Sequence, residues 1–280
     1  MGTLWGGWVL ACLVSMGPTH LPIASPPPVV ASSAIILDVN TRDILYAKNI
    51  HQRWAPGSLV KMMTAWLAIR YGWQKIGQIT PHAAHLGGTS LDLPVGTQIP
   101  LRQLVPAMMM ASGNDAAEVV AETIAHNDRA FARCMNQTAK GWHLGQIHFD
   151  NPTGLPNKNQ WTTAMAMARL TLHVMRNRVF ATMVRQTGVA LPGPTTPRFY
   201  LNQNQLIGTF AGANGVKLGY TGPGNAALVV TAMRHHTELI VVVLHDNLSA
   251  VWPDATRLLV WGFAHSVVVS SDGPELAESY

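Results

Sequence analysis

The sequence has few cysteines, few charged side chains and no cluster of basic residues. Two of its 280 residues are cysteine and 12% are charged. Cys12 lies in an apolar N-terminal stretch and Cys134 far along the chain, so we expect no disulfide framework. The net charge is +5, but the Lys and Arg residues are scattered, which argues against nucleic-acid binding. A mildly basic surface suits an acidic polymer or a cell-envelope surface.

The N-terminal region lacks a hydrophobic run long enough to span a membrane. The apolar stretch 4–16 has about 13 residues, whereas a span needs about 20. Such a short run is typical of the core of a secretory signal, although no Lys or Arg precedes it. We therefore expect an exported protein, periplasmic or in the cell envelope. Residues 1–32 are predicted to be a signal or anchor segment with a Pro-rich linker, and an uncleaved anchor is the alternative.

The sequence also lacks a recognisable metal-binding pattern. His82 and His85 lie in a Gly- and Pro-containing connection over 72–100, but neither Cys nor an acidic cluster accompanies them there. Zinc sites need three or four such ligands. We therefore expect no metal site and no cofactor.

Hydrophobic residues make up 48% of the chain, which is enough for a large core. Apolar runs over 34–37 and 44–47 flank a polar turn and predict a β-hairpin. Runs over 226–233 and 238–244 predict adjacent antiparallel strands. The sequence therefore predicts an α+β fold, with an antiparallel sheet built from the N- and C-terminal segments and a helical subdomain between them.

Helical spacing of apolar residues defines the middle of the chain. Helices are predicted over 58–69, 101–110, 115–124, 128–139, 162–176 and 251–263. Residues 188–215 are predicted to be mostly loop. A single domain is expected over 33–265, followed by a C-terminal tail over 266–280.

One stretch suggests chemistry. Pro56-Gly57 is a turn signal, and the run after it has no Gly or Pro up to Ile69. Ser58 is thus expected at a helix start with Lys61 three residues later on the same face. A lysine of lowered pKa could take the serine proton, although an isolated Ser-x-x-Lys is usually a helix cap with a surface lysine.

Two further motifs follow in order and make the pattern specific. The three motifs are Ser58-x-x-Lys61, Ser112-Gly113-Asn114 and Lys217-Leu218-Gly219. This ordered set, with the flanking stretches 45–49, 115–117, 151–155 and 215–221, resembles the D-alanyl-D-alanine carboxypeptidases, the low-molecular-mass penicillin-binding proteins. The resemblance covers about residues 33–265 and implies a β-lactamase/DD-peptidase-like fold.

The resemblance also implies a catalytic role for each motif residue. Ser58 would attack the carbonyl between two D-alanines of a peptidoglycan stem peptide, and Lys61 would take its proton. Ser112 would relay a proton to the leaving amine, and Asn114 would orient Lys61. Lys217 would hold the terminal carboxylate and keep Lys61 neutral.

The strand that follows Lys217 would complete substrate binding. Gly219, Tyr220 and Thr221 are the expected substrate-binding residues, and the N–H groups of Ser58 and Tyr220 would form the oxyanion hole. β-Lactam antibiotics would be covalent inhibitors.

The sequence departs from the family pattern at Leu218, where Thr is usual. The missing hydroxyl normally helps to bind the terminal carboxylate. Three alternatives to the carboxypeptidase therefore stay open: a D,D-endopeptidase that cuts peptidoglycan crosslinks, a β-lactamase, and a non-catalytic wall-binding protein.

Overall fold

A computed structural model describes residues 25–192, 196–222 and 224–271. The strands are β1 (Ser33–Asp38), β2 (Ile44–Lys48), β3 (Ile76–Gln78), β4 (Gln98–Pro100), β5 (Gly188–Leu191), β6 (Arg198–Leu201), β7 (Ala213–Tyr220), β8 (Ala226–Arg234) and β9 (Thr237–Asp246). The helices are α1 (Lys61–Tyr71), α2 (Pro81–Ala84), α3 (Leu101–Ala111), α4 (Asn114–Ala125), α5 (Asp128–Gly141), α6 (Ala164–Met175), α7 (Arg178–Val184) and α8 (Val251–Ser271), and a 3₁₀ turn covers Gly57–Val60. Most of the predicted signal segment and C-terminal tail lies outside the described residues.

The main sheet has five antiparallel strands in the order β2-β1-β9-β8-β7. Strand β9 lies at the centre of the sheet, and both of its faces are apolar. Ile240 and Val242 contribute to the core beneath the helices α1 and α3–α7, and Val241 and Val243 contribute to a second core. This alternation is that of a strand buried on both faces.

Helix α8 covers the second face of the sheet, against β8 and β9. The other helices form a layer on the opposite side of the sheet. In this helical layer α6 contacts β1 and β9, and the 3₁₀ turn contacts β7 and β8. Strand β7 is an edge strand of the sheet. The side of β7 that faces the helical layer therefore meets the 3₁₀ turn. The candidate site lies at this junction.

The predicted α+β class and the sheet formed from both ends of the chain are confirmed. The two predicted strand pairs form at the expected positions, as do the six helices. Ser58, however, lies in the 3₁₀ turn before α1 rather than in the α-helix itself.

Two small sheets are absent from the sequence-based prediction. Residues 72–100 contain the pair β3–β4 and the short helix α2, and residues 188–215 contain the pair β5–β6 and the start of β7. These strands are only three or four residues long apart from β7, so they carry too little alternation to be detected. Helix α7 was likewise missed.

Among the helices of the described ranges, none combines the length and apolar character needed to cross a membrane.

Candidate active site

The 3₁₀ turn brings Ser58 and Lys61 together. Gly57 adopts a positive φ of 53°, and the Leu59 N–H donates to the Pro56 carbonyl at 3.2 Å. Lys61 then begins α1, and its Nζ lies 3.0 Å from Ser58 Oγ. The predicted contact between the two side chains is present.

Lys61 is fully buried and has three hydrogen-bond partners from separate segments. Its Nζ lies 2.7 Å from Asn114 Oδ1 and 2.5 Å from the Thr153 carbonyl oxygen, in addition to Ser58. A neutral amine has two N–H groups and one lone pair. The two acceptors of Asn114 and Thr153 can take the N–H groups, which leaves the lone pair facing the serine hydroxyl.

Electrostatics favour the neutral amine. Burial lowers the pKa of Lys61 well below its ordinary value, the positive charge of Lys217 lowers it further, and Asp115 partly opposes the shift. A lysine that loses its proton near neutral pH can act as a base, whereas an exposed lysine cannot.

Lys217 comes from the main sheet rather than from the helical layer. It lies within β7, pairs with Val229 on β8, and is 1% exposed. Its Nζ donates to the Leu218 carbonyl oxygen at 2.9 Å. Burial lowers the pKa of Lys217 to about 7.

Ser112 and Asn114 occupy a sharp corner between two helices. Ser112 ends α3 with a left-handed φ of 67°, and Asn114 begins α4. Asn114 Nδ2 donates to the Gly87 carbonyl at 2.6 Å, and its backbone N–H donates to the Thr89 carbonyl at 2.7 Å. Asn114 thus contacts both Lys61 and the loop that borders the pocket.

The next residue, Asp115, fastens that same loop. Both of its carboxylate oxygens accept from the Leu91 N–H at 3.0 Å, and Oδ2 also accepts from Ser90 Oγ at 2.9 Å. Asp115 is 2% exposed, so its charge also acts on Lys61 in a weakly polarisable interior.

Thr153 is the site residue that sequence reasoning missed. Its carbonyl is held in place by a turn in which Asn151 Oδ1 accepts from the N–H groups of Thr153 and Gly154 at 3.2 and 2.8 Å. Gly154 has φ 87°, and a Cβ there would lie 2.0 Å from the Gly57 carbonyl oxygen. The Asn-Pro-Thr-Gly sequence was the available signal, because Asn and Gly favour such turns.

Strand β7 packs directly on the turn that carries Ser58. A Cβ on Gly219 would lie 2.9 Å from the Pro56 carbonyl oxygen, so only glycine allows this approach. A cavity of about 450 Å³ opens beside the junction of β7 and the 3₁₀ turn. It is lined by Ser58, Gly88, Thr89, Asn114, Gly154, Leu155, Pro156, Tyr220, Thr221 and Gly222.

Leu218 lies on the other face of the sheet. It pairs with Leu228, and its side chain packs with Trp252 against the core under α8. The Lys217 side chain, by contrast, shares its face with Val229 and the helical layer. Leu218 therefore does not line the cavity beside Ser58.

The expectation that no acidic cluster accompanies His82 is wrong. Glu118 and Glu122, on one face of α4, lie close enough to His82 for the three side chains to share an ion. The sequence pattern failed because these residues come together only when α2 packs on α4. His85 is not part of this group; its Nδ1 lies 2.6 Å from the Pro81 carbonyl oxygen.

The antiparallel sheet and the helical layer form the fold of solved DD-peptidases, and the Ser–Lys pair lies at the junction of the two layers. This fold has a TM-score of 0.80 to a mutant of the Streptomyces K15 DD-transpeptidase, at 26% sequence identity and covering 85% of this chain and 99% of that one. The chain belongs to the D-alanyl-D-alanine carboxypeptidase family, whose model matches residues 21–247.

Two relatives show how the chain aligns within that family. It is 33% identical over 223 residues to the D-alanyl-D-alanine carboxypeptidase DacF of Bacillus subtilis, covering 76% of this chain and 57% of that protein. It is 27% identical over 270 residues to the D-alanyl-D-alanine carboxypeptidase of Streptomyces sp. K15, covering 89% of this chain and 93% of the relative. The chain thus spans little more than half the length of the Bacillus protein.

Proposed function

We propose that the protein is a serine-type D-Ala-D-Ala carboxypeptidase that trims peptidoglycan stem peptides. The observation that carries the proposal is the buried Lys61 amine, 3.0 Å from Ser58 Oγ and held by Asn114 and Thr153. A buried base next to a serine is the arrangement that nucleophilic catalysis requires.

In the acylation step, Ser58 Oγ attacks the carbonyl carbon of the penultimate D-alanine, and its proton passes to the Lys61 amine. The carbonyl oxygen becomes an oxyanion, for which the N–H groups of Ser58 and Tyr220 are the proposed donors. The C–N bond then breaks. The leaving amine takes a proton from Lys61 through Ser112, and D-alanine departs.

In the deacylation step, water attacks the ester that joins the peptide to Ser58. Lys61 takes a proton from the water and returns it to Ser58 Oγ, which restores the free enzyme. Lys217 is the proposed partner of the substrate's terminal carboxylate before D-alanine leaves. Gly219, Tyr220 and Thr221 line or border the cavity where the peptide would lie along β7.

We further propose that the protein works outside the cytoplasm and binds β-lactams. Peptidoglycan is an extracytoplasmic polymer, and the apolar stretch 4–16 suits an export signal. A β-lactam would acylate Ser58 as the peptide does, and export would act through residues 1–32, ahead of a catalytic domain over 33–265.

The test uses purified muropeptides, with Ser58→Ala as the matched control. The proposal predicts that the wild-type chain removes the terminal D-alanine from uncrosslinked pentapeptides, detected by mass analysis, and that the control does not. Cleavage of crosslinked dimers instead would identify an endopeptidase, and newly formed crosslinks would identify a transpeptidase. Muropeptide binding without turnover would leave only a wall-binding protein, and rapid turnover of penicillin would favour a β-lactamase.

A further inference from the structure

A buried carboxylate on α4 takes no part in the proposed reaction. Glu118 is 2% exposed, and its Oε2 is buried without a hydrogen-bond donor among the described residues. The nearby Asp128 also has a buried oxygen, Oδ1, without a donor. An unpaired buried carboxylate is costly, so this cluster needs a positive charge or a proton.

The side chains around Glu118 are those that bind metals. His82 Nε2 lies 3.6 Å from Glu118 Oε1, and Glu122 follows one turn later on α4. Ligand atoms of His82, Glu118 and Glu122 all lie within 4.8 Å of one another. Thr80 Oγ1 is 3.0 Å from each carboxylate oxygen of Glu122 and orients that side chain.

We propose that His82, Glu118 and Glu122 form a binding site for one divalent cation of the zinc type. Imidazole together with carboxylates suits zinc and similar transition metals, whereas Mg²⁺ and Ca²⁺ prefer oxygen ligands alone. Ligand atoms bound tetrahedrally at about 2.0–2.2 Å lie about 3.3–3.6 Å apart, so groups that now lie within 4.8 Å of one another need to close by up to roughly 1.5 Å. The His82 side chain is 65% exposed and free to make this movement.

One competing state must be displaced. Burial, followed by the neighbouring Asp128, raises the pKa of Glu118 to about 9, so a proton on Glu118 competes with the cation. A bound cation replaces that proton and balances the negative charge of the buried carboxylate.

The site would tie α2 to α4 next to the candidate active site. Helix α4 begins with Asn114, which donates to the Gly87 carbonyl just beyond α2. The cation would therefore fasten the loop that borders the catalytic cavity. Its expected effect is on stability, because none of its ligands contacts Ser58 or Lys61, and the proposal is independent of the reaction proposed above.

The test is a calorimetric titration of the full chain with ZnCl₂, repeated with MnCl₂, MgCl₂ and CaCl₂. We expect one tight zinc site and a Tm raised by about 5–10 °C at a hundredfold excess over Kd. His82→Ala, a change at an exposed position, and the isosteric Glu118→Gln should each weaken zinc binding at least tenfold. His85→Ala, an exposed histidine of the same segment, is the matched control and should bind as the wild type does.

Two outcomes would overturn the proposal. Absence of saturable zinc binding, or binding that both His82→Ala and Glu118→Gln leave unchanged, would show that this cluster is not a cation site. Tighter binding of Mg²⁺ or Ca²⁺ than of zinc would show that the assigned cation class is wrong.

Discussion

The helical layer and the main sheet each contribute one buried lysine to the candidate site, but the two lysines have different surroundings. On the helical side, Lys61 is fully buried, and its Nζ has three hydrogen-bond partners, in Ser58, Asn114 and Thr153. On the strand side, Lys217 is also buried, but among the described residues its Nζ has a single hydrogen-bond partner, the Leu218 carbonyl oxygen. The first amine has its geometry fixed by neighbours, whereas the second keeps capacity for a further partner.

The pKa values of the two lysines are also lowered by different causes. Burial and the charge of Lys217 both lower the pKa of Lys61, whereas burial alone lowers that of Lys217 to about 7. A proton on Lys217 therefore helps to keep Lys61 neutral. We therefore expect Lys61 to act as the base and Lys217 to bind the substrate's carboxylate. The predictions below test this division of roles.

The largest effect is expected from Lys61→Arg. Arginine keeps the positive charge but does not lose its proton in a protein, so it cannot act as the base. We expect the rate of acylation by a fluorescent penicillin to fall by about 10²–10⁴-fold. Acylation at a near-normal rate would show that Lys61 supplies charge alone and would remove the distinction between the two lysines.

Substitution of Lys217 should cost less and should depend on charge. Lys217→Met removes the proposed partner of the substrate carboxylate, and we expect kcat/KM on a D-Ala-D-Ala peptide to fall by about ten- to a hundredfold. Lys217→Arg keeps the charge and should retain more activity. An arginine variant no better than the methionine variant would contradict an electrostatic role.

The thermal stability of Lys217→Met serves as its folding control. A buried lysine whose pKa falls from 10.5 to about 7 destabilises the folded chain, because the unfolded chain binds its proton more tightly; this cost is full below pH 7 and disappears only as pH rises towards 10.5. This variant should therefore melt no lower than the wild type.

The pH dependence should separate the two lysines. As pH rises through about 7, Lys217 loses its charge, and kcat/KM for a peptide with a free carboxylate should fall about tenfold per pH unit. As pH falls, Lys61 gains a proton and activity declines on the acid side. In Lys217→Arg the alkaline decline should disappear, and its persistence would assign that limb to another group.

The smallest effect is expected from Leu218→Thr. The resemblance implies that a hydroxyl here contacts the substrate carboxylate, but in this chain the side chain packs with Trp252 under α8. Because this side chain faces away from the cavity beside Ser58, we expect Leu218→Thr to leave kcat/KM essentially unchanged. A gain of about tenfold or more in a folded variant, the size expected for a hydrogen bond to a charged group, would show that position 218 does reach the carboxylate.

The sequence predicted the two lysine positions unequally well. Lys61 follows Ser58 at helical spacing, so local periodicity was enough to place both side chains on one face. Lys217 comes near Lys61 only when β7 packs on the 3₁₀ turn. The sequence predicted this proximity through the family resemblance alone.

Other parts of the site had no local pattern. The Thr153 carbonyl is a backbone atom, and its approach to Lys61 depends on a close contact between Gly154 and Gly57. The cluster of His82 with two glutamates is likewise formed by packing of α2 on α4. Periodicity describes one element at a time, so it does not report contacts of this kind.

The most direct test of the account is the identity of the acylated residue. The chain is incubated with a β-lactam, and the adduct is located by peptide mass spectrometry, with Ser58→Ala treated in parallel. The account predicts one adduct per chain, on Ser58, and none on the variant. An adduct on another residue, or one that persists in Ser58→Ala, would contradict the assignment of Ser58 as the nucleophile that Lys61 activates.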